Sequence, residues 1–153
     1  MYQRILVPLD GSDTSLAGLD EAVRLALLHG ATLRLVHALN TFKLRPGHAS
    51  HASYASLLPQ MKAEGERLLQ QGRERAERSG AKVETRLLTS LTMSLSELVA
   101  DDAQAWKAEL IVAGTRGRKG IERILWGSEA QHVTRMATMP VLLVQAPETS
   151  TNG

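Results

Sequence analysis

The chain has 153 residues, 43% hydrophobic and 22% charged, a balance that fits one globular domain and is too apolar for disorder. A formal charge of +2 and only 3% aromatic residues argue against a nucleic-acid surface, which needs a basic face with stacking platforms. The lack of cysteine excludes disulfides, thiolate chemistry and cysteine-held metals. No apolar run reaches bilayer length, and Met1-Tyr2-Gln3-Arg4 lacks a signal-peptide layout, so a cytoplasmic location is expected.

Residues 4–9 (Arg4-Ile5-Leu6-Val7-Pro8-Leu9) form an apolar run without alternation, as in a strand covered on both faces, and Pro8 marks the end of its ladder. Asp10-Gly11-Ser12-Asp13 is a turn cluster that also supplies an N-cap from Ser12 or Asp13. Leu16, Leu19, Val23, Ala26 and Leu27 follow at helical spacing, and Gly30 sits where a helix ends. Residues 32–38 predict a second strand, and residues 40–53, rich in His, Ser, Pro and Gly, an exposed loop. A long helix is expected over residues 57–78, with Leu58, Met61, Leu68, Leu69 and Ala76 inward and Gly80 closing it. Pro59 fits its first turn, whereas Gly65 and Gly72 should weaken it.

Residues 82–88 alternate charged and apolar side chains, as a strand near a sheet edge does. Ser94-Leu95-Ser96-Glu97 reads as a capping box, opening a helix marked by Leu95, Leu98, Val99 and Trp106. Leu110-Ile111-Val112-Ala113 is a fully apolar strand, followed by a glycine-rich loop over residues 114–127. A fourth helix is expected over residues 128–137, stopped by Pro140, before the last strand, Val141-Leu142-Leu143-Val144. Strands separated by helices mean βαβ crossovers: an α/β domain over residues 1–147, with a five-stranded parallel sheet, helices on both faces and a flexible tail at 148–153. Ligands of such sheets bind beyond the carboxyl ends of the strands, at the point where strand order reverses.

The loop reads Gly114-Thr115-Arg116-Gly117-Arg118-Lys119-Gly120-Ile121-Glu122-Arg123-Ile124-Leu125-Trp126-Gly127-Ser128. Glycines let backbone N–H groups approach a phosphate, and a helix start after Gly127-Ser128 offers unpaired amides and a positive dipole end. Ser128 can either cap that helix or give its hydroxyl to a phosphate. The spacing is neither a Walker A loop nor the G-x-G-x-x-G dinucleotide fingerprint.

With glycine, two residues, glycine, nine residues, glycine and serine after a strand, the chain resembles the universal stress protein family in its ATP-binding branch. The opening Ile5-Leu6-Val7-Pro8-Leu9-Asp10-Gly11-Ser12 and the closing Met139-Pro140-Val141-Leu142-Leu143-Val144 extend the likeness over residues 3–145. The resemblance implies a Rossmann-like sheet of the adenine nucleotide alpha hydrolase type, in strand order 3-2-1-4-5, and a nucleotide-responsive stress or signalling module that binds ATP. It places Pro8, Leu9 and Asp10 at the nucleoside, with Asp10 reaching the ribose or a phosphate-bound Mg²⁺. Ala38 stands against adenine, Ala113 borders the pocket, and Gly114, Arg116, Gly117, Gly127, Ser128 and Glu129 surround ribose and phosphates. It also implies a homodimer through the last strand, with Val141, Leu143 and Val144 at the interface.

Other readings stand beside these. Asp10 is equally a turn-former. Glu129 falls where the family often has a small apolar residue, and it repels a triphosphate unless Mg²⁺, Arg116, Arg118 or Lys119 compensates. The Gly-x-Pro often seen in the family before the third helix is replaced by Ser90-Leu91-Thr92. Arg116, Arg118, Lys119 and Arg123 otherwise form a solvated basic surface, and His37, His48 and His51 lack the carboxylates or cysteines that would make them a metal set. Met93, Met136 and Met139 read as core filler, and Trp126 as packing the loop down. Asp10 with Glu129 is the one candidate catalytic pair, so a slow ATPase and a non-nucleotide dimeric scaffold are the alternatives to a binding module, and no efficient enzyme is expected.

Overall fold

A computed structural model describes residues 1–39, 51–115 and 125–146, with the side chains of 51–55 and 125–129 outside the description. In chain order the elements are β1 (Arg4–Pro8), α1 (Asp13–His29), β2 (Thr32–Ala38), α2 (His51–Arg78), β3 (Lys82–Leu88), α3 (Leu95–Trp106), β4 (Leu110–Thr115), α4 (Leu125–Met136) and β5 (Val141–Gln145). The strands form one parallel sheet in the order β3-β2-β1-β4-β5. Chain order therefore reverses at β1, with β2 on one side and β4 on the other.

The apolar strands feed two cores because successive side chains point to opposite faces. Ile5, Val7 and Leu9, with Leu33, Leu35, Leu110 and Val112, pack under α1 and α2 through Leu19, Val23, Leu69 and Ala76. Leu6, Val36 and Ile111 face the other way, against Leu95, Leu98 and Val99 of α3 and Val133 of α4. This is why those runs show no alternation in sequence: both faces of the sheet are covered. β3, at the sheet edge, does alternate.

Several boundaries depart from expectation. α2 begins at His51, so Pro59 lies inside the helix rather than in its first turn, and the N–H that would bond back to residue 55 is missing. Gly65 and Gly72, expected only to weaken α2, are buried on its inner face. A Cβ there would meet Leu87 Cδ1 at 2.7 Å and Leu9 Cδ1 at 2.5 Å, so the two glycines let α2 lie close to the sheet. β4 runs on through Gly114 and Thr115, which pair with Val144 and Gln145 instead of opening the loop. α4 starts at Leu125, which moves Ser128 past the capping position. Leu27 and Met136 are 51% and 44% exposed, because each lies just beyond the stripe its helix buries; Met93 and Met139 do pack against the core.

On the α3 side, Asp102 is 5% exposed and accepts hydrogen bonds from the Arg34 guanidinium at 3.2 Å on both oxygens, with Arg86 3.1 Å away. Arg34 also bonds Glu84 at 2.6 Å and lies 4.6 Å from the Trp106 ring centre, so charge pairing and a cation–π contact fix α3 to β2 and β3. The Ser94–Glu97 capping box forms as the sequence predicts, with Ser94 N–H donating to Glu97 at 2.7 Å.

Candidate functional site

The turn after β1 is built by its own side chains. Asp10 Oδ1 accepts from the Ser12 N–H at 2.9 Å and from the Ser12 hydroxyl at 2.5 Å. Ser12 caps α1 by accepting from Ser15 N–H at 3.2 Å, and Gly11 takes φ +84°, a left-handed turn that favours glycine. One oxygen of Asp10 thus holds the turn, which is the structural role the sequence allowed for it.

Beside this turn, at the carboxyl ends of β1 and β2, lies a cleft of about 740 Å³. Asp10, Gly11, His37, Ala38 and Leu39 form its strand side, Gln60, Met61, Glu64, Arg67 and Leu68 of α2 its outer wall, and Leu95 of α3 its far end. Arg67 hydrogen-bonds Glu64, and this bond holds the Glu64 carboxyl below its ordinary value against the opposing effect of desolvation. The polar groups are therefore mixed in sign, with apolar side chains between them. Such a site suits a small ligand that has both an apolar part and hydrogen-bonding groups.

Of the residues singled out from sequence, Asp10 and Ala38 line this cleft. Pro8 and Leu9 are buried behind it, and Leu9 is used by the core, 2% exposed. Ala113 is 1% exposed at the end of β4. Gly114 is packed against α1: a Cβ there would fall inside contact distance of the Thr14 carbonyl, so helix packing alone demands this glycine. Gly127 and Ser128 stand in the first turn of α4, whose leading amides have no partners within the helix, and Glu129 follows just beyond that turn. Arg116 and Gly117 lie outside the described residues, as do Arg118, Lys119, Arg123 and His48, and nothing is described of the side chains of His51 and Trp126.

The residues of α2 that wall the cleft were not singled out from sequence as site residues. Their spacing, Gln60, Met61, Glu64, Arg67 and Leu68, is the i, i+3, i+4 signal of one helical face, but only the fold shows that this face looks over the strand ends. Among the described residues no three His, Asp, Glu or Cys gather as a metal set, and no helix is long and apolar enough to cross a membrane.

The sheet order, the two helical layers and a cleft beside the reversal point make this a Rossmann-like α/β domain. The Universal stress protein family profile matches residues 1–145, and the chain belongs to that family. A universal stress protein of Methanocaldococcus jannaschii is 34% identical over 150 residues, covering 97% of this chain and 85% of the relative. A solved family member from Burkholderia pseudomallei superposes with a TM-score of 0.75 at 31% identity, covering 94% of this chain and 96% of the other. A universal stress protein solved in complex with cAMP has a TM-score of 0.68 at 25% identity, covering 95% of this chain and 99% of that one.

Proposed function

We propose that the protein binds an adenine nucleotide, ATP, in the cleft at the ends of β1 and β2, and acts as a stress or signalling module whose state follows occupancy. The cleft carries this reading. Its volume of about 740 Å³ lies within the range of small-ligand sites, about 300–1,000 Å³. It flanks the position where ligands of such sheets bind, and the relative in complex with cAMP supports the ligand class.

In this reading Ala38 flanks the base, with Pro8, Leu9 and Ala113 backing the pocket. Asp10 faces the ribose or a phosphate-bound Mg²⁺. Gly114, Arg116, Gly117, Gly127, Ser128 and Glu129 surround the phosphates. Asp10 and Glu64 repel a triphosphate placed deep in the cleft, which favours phosphates directed toward the start of α4. The role is binding, with ATP hydrolysis at most slow, in the cytoplasm.

The same reading makes the protein a homodimer through β5, by way of Val141, Leu143 and Val144. β5 is an edge strand whose Leu142 and Leu143 are each 38% exposed, and an apolar edge of this kind favours pairing with a second copy.

Calorimetry with Mg²⁺-ATP and mass spectrometry of gently purified protein test the reading. Saturable binding, or co-purifying adenine nucleotide, supports it. Neither, together with no ATP-dependent rise in melting temperature, overturns it in favour of a non-nucleotide scaffold. Gly127→Val should abolish binding while the melt shows an intact fold, because the side chain blocks the approach of backbone to phosphate. Product analysis over time should show turnover little faster than buffer. Leu143→Asp should convert a sedimenting dimer to monomer, and an unchanged dimer would move the interface elsewhere.

A further inference from the structure

We propose that His37 is the positioning residue of this cleft: its ring takes the Leu9 carbonyl and so leaves the Ala38 main chain open to the ligand. This rests on the nucleotide reading above.

The β1–β2 ladder ends at the Pro8–Val36 pair, yet Leu9 N–H still donates to the Val36 carbonyl at 2.8 Å. In a continued parallel ladder the next bond would run from Ala38 N–H to the Leu9 carbonyl. Instead His37 Nδ1 lies 2.7 Å from that oxygen. A carbonyl oxygen only accepts, so Nδ1 carries the proton, and in the neutral ring Nε2 is the acceptor. The adjacent Leu39 N–H donates to Leu88 on the β3 side, which turns the Ala38 N–H toward the β1 side, beyond the end of β1. Ala38 lines the cleft there.

The ring has room because α2 carries Gly65 over it; a Cβ at 65 would stand 2.8 Å from His37 Cδ2. A side chain therefore ends the ladder one bond early and keeps the strand end from zipping shut.

Heteronuclear NMR of the free protein reads the tautomer directly, with the neutral His37 ring expected as the Nδ1–H form. Amide exchange should be fast at Ala38 in the wild type and slow in His37→Leu, where the ladder can extend to Leu9. ATP affinity should fall about tenfold in His37→Leu and His37→Gln, the worth of one hydrogen bond that orders the site. His37→Asn, whose amide N–H overlays Nδ1–H, should stay within about threefold of wild type, with melting temperatures alike throughout. An Nε2–H tautomer, or a His37→Leu variant with wild-type exchange at Ala38, overturns the proposal. Should the wild type bind no adenine nucleotide, the functional reading falls, while tautomer and exchange still decide the role of His37.

Discussion

Gly114 is claimed by two roles, approach to a phosphate and passage of α1 over β4, and Gly114→Ala separates them. The added methyl would fall inside contact distance of the Thr14 carbonyl and 2.8 Å from Ser15 N. Both obstacles are backbone. Thr14 and Ser15 are 6% and 3% exposed and held by the Ser12 cap, so no side-chain rotation relieves the clash and α1 must lift from β4. Overpacking in cores costs about 1–3 kcal/mol, and a backbone obstacle puts this variant at the upper end, about 3 kcal/mol. At this chain length that is a fall in melting temperature of about 6–12 °C. With a urea slope of about 2 kcal/mol/M it is a midpoint lowered by roughly 1.5 M.

Gly18→Ala is the matched control. Its methyl would stand 3.0 Å from Gly114 N, a milder contact. Helix propensity returns about 1 kcal/mol, so the net loss should be under about 1 kcal/mol. Urea unfolding of both variants, with ATP titration of each, is the assay. A Gly114→Ala protein within about 1 kcal/mol of wild type would refute the packing argument, and if it also lost ATP the glycine would belong to the ligand.

Asp102→Ala should cost about 2–3 kcal/mol in urea unfolding, below the full penalty of a broken buried pair. Arg34 keeps Glu84 and the Trp106 face, and Arg86, 57% exposed, returns to water; a loss under about 0.5 kcal/mol would contradict this. The Arg75 guanidinium, bonded to both Asp20 oxygens at 2.8 Å, holds that carboxyl below its ordinary value. Its stabilisation is present above the unfolded pKa of about 3.9 and is lost as pH falls through the lower folded value. The pair is half exposed and solvent-screened, so Arg75→Ala should lose under about 1 kcal/mol at neutral pH, a gap that closes in acid. Ser94→Ala should cost about 1 kcal/mol through its capping box, read as a lower urea midpoint.

The sequence by itself determined the layered α/β fold, because two-sided burial writes unbroken apolar runs at residues 5–7 and 110–113, while Ser12, Gly30 and the Ser94–Glu97 box punctuate the helices locally. The turn at Asp10 was legible from the end of the first strand, whereas Ala38 came from the family resemblance, and both line the cleft. What the sequence left open depends on distance through space. That α2 closes the cleft, that Gly65 makes room for the His37 ring, and that Gly114 is required by Thr14 are contacts between segments far apart in the chain. Helical periodicity tells which face is buried, never what lies opposite it, so those assignments come only from the packing of α1 and α2 on the sheet.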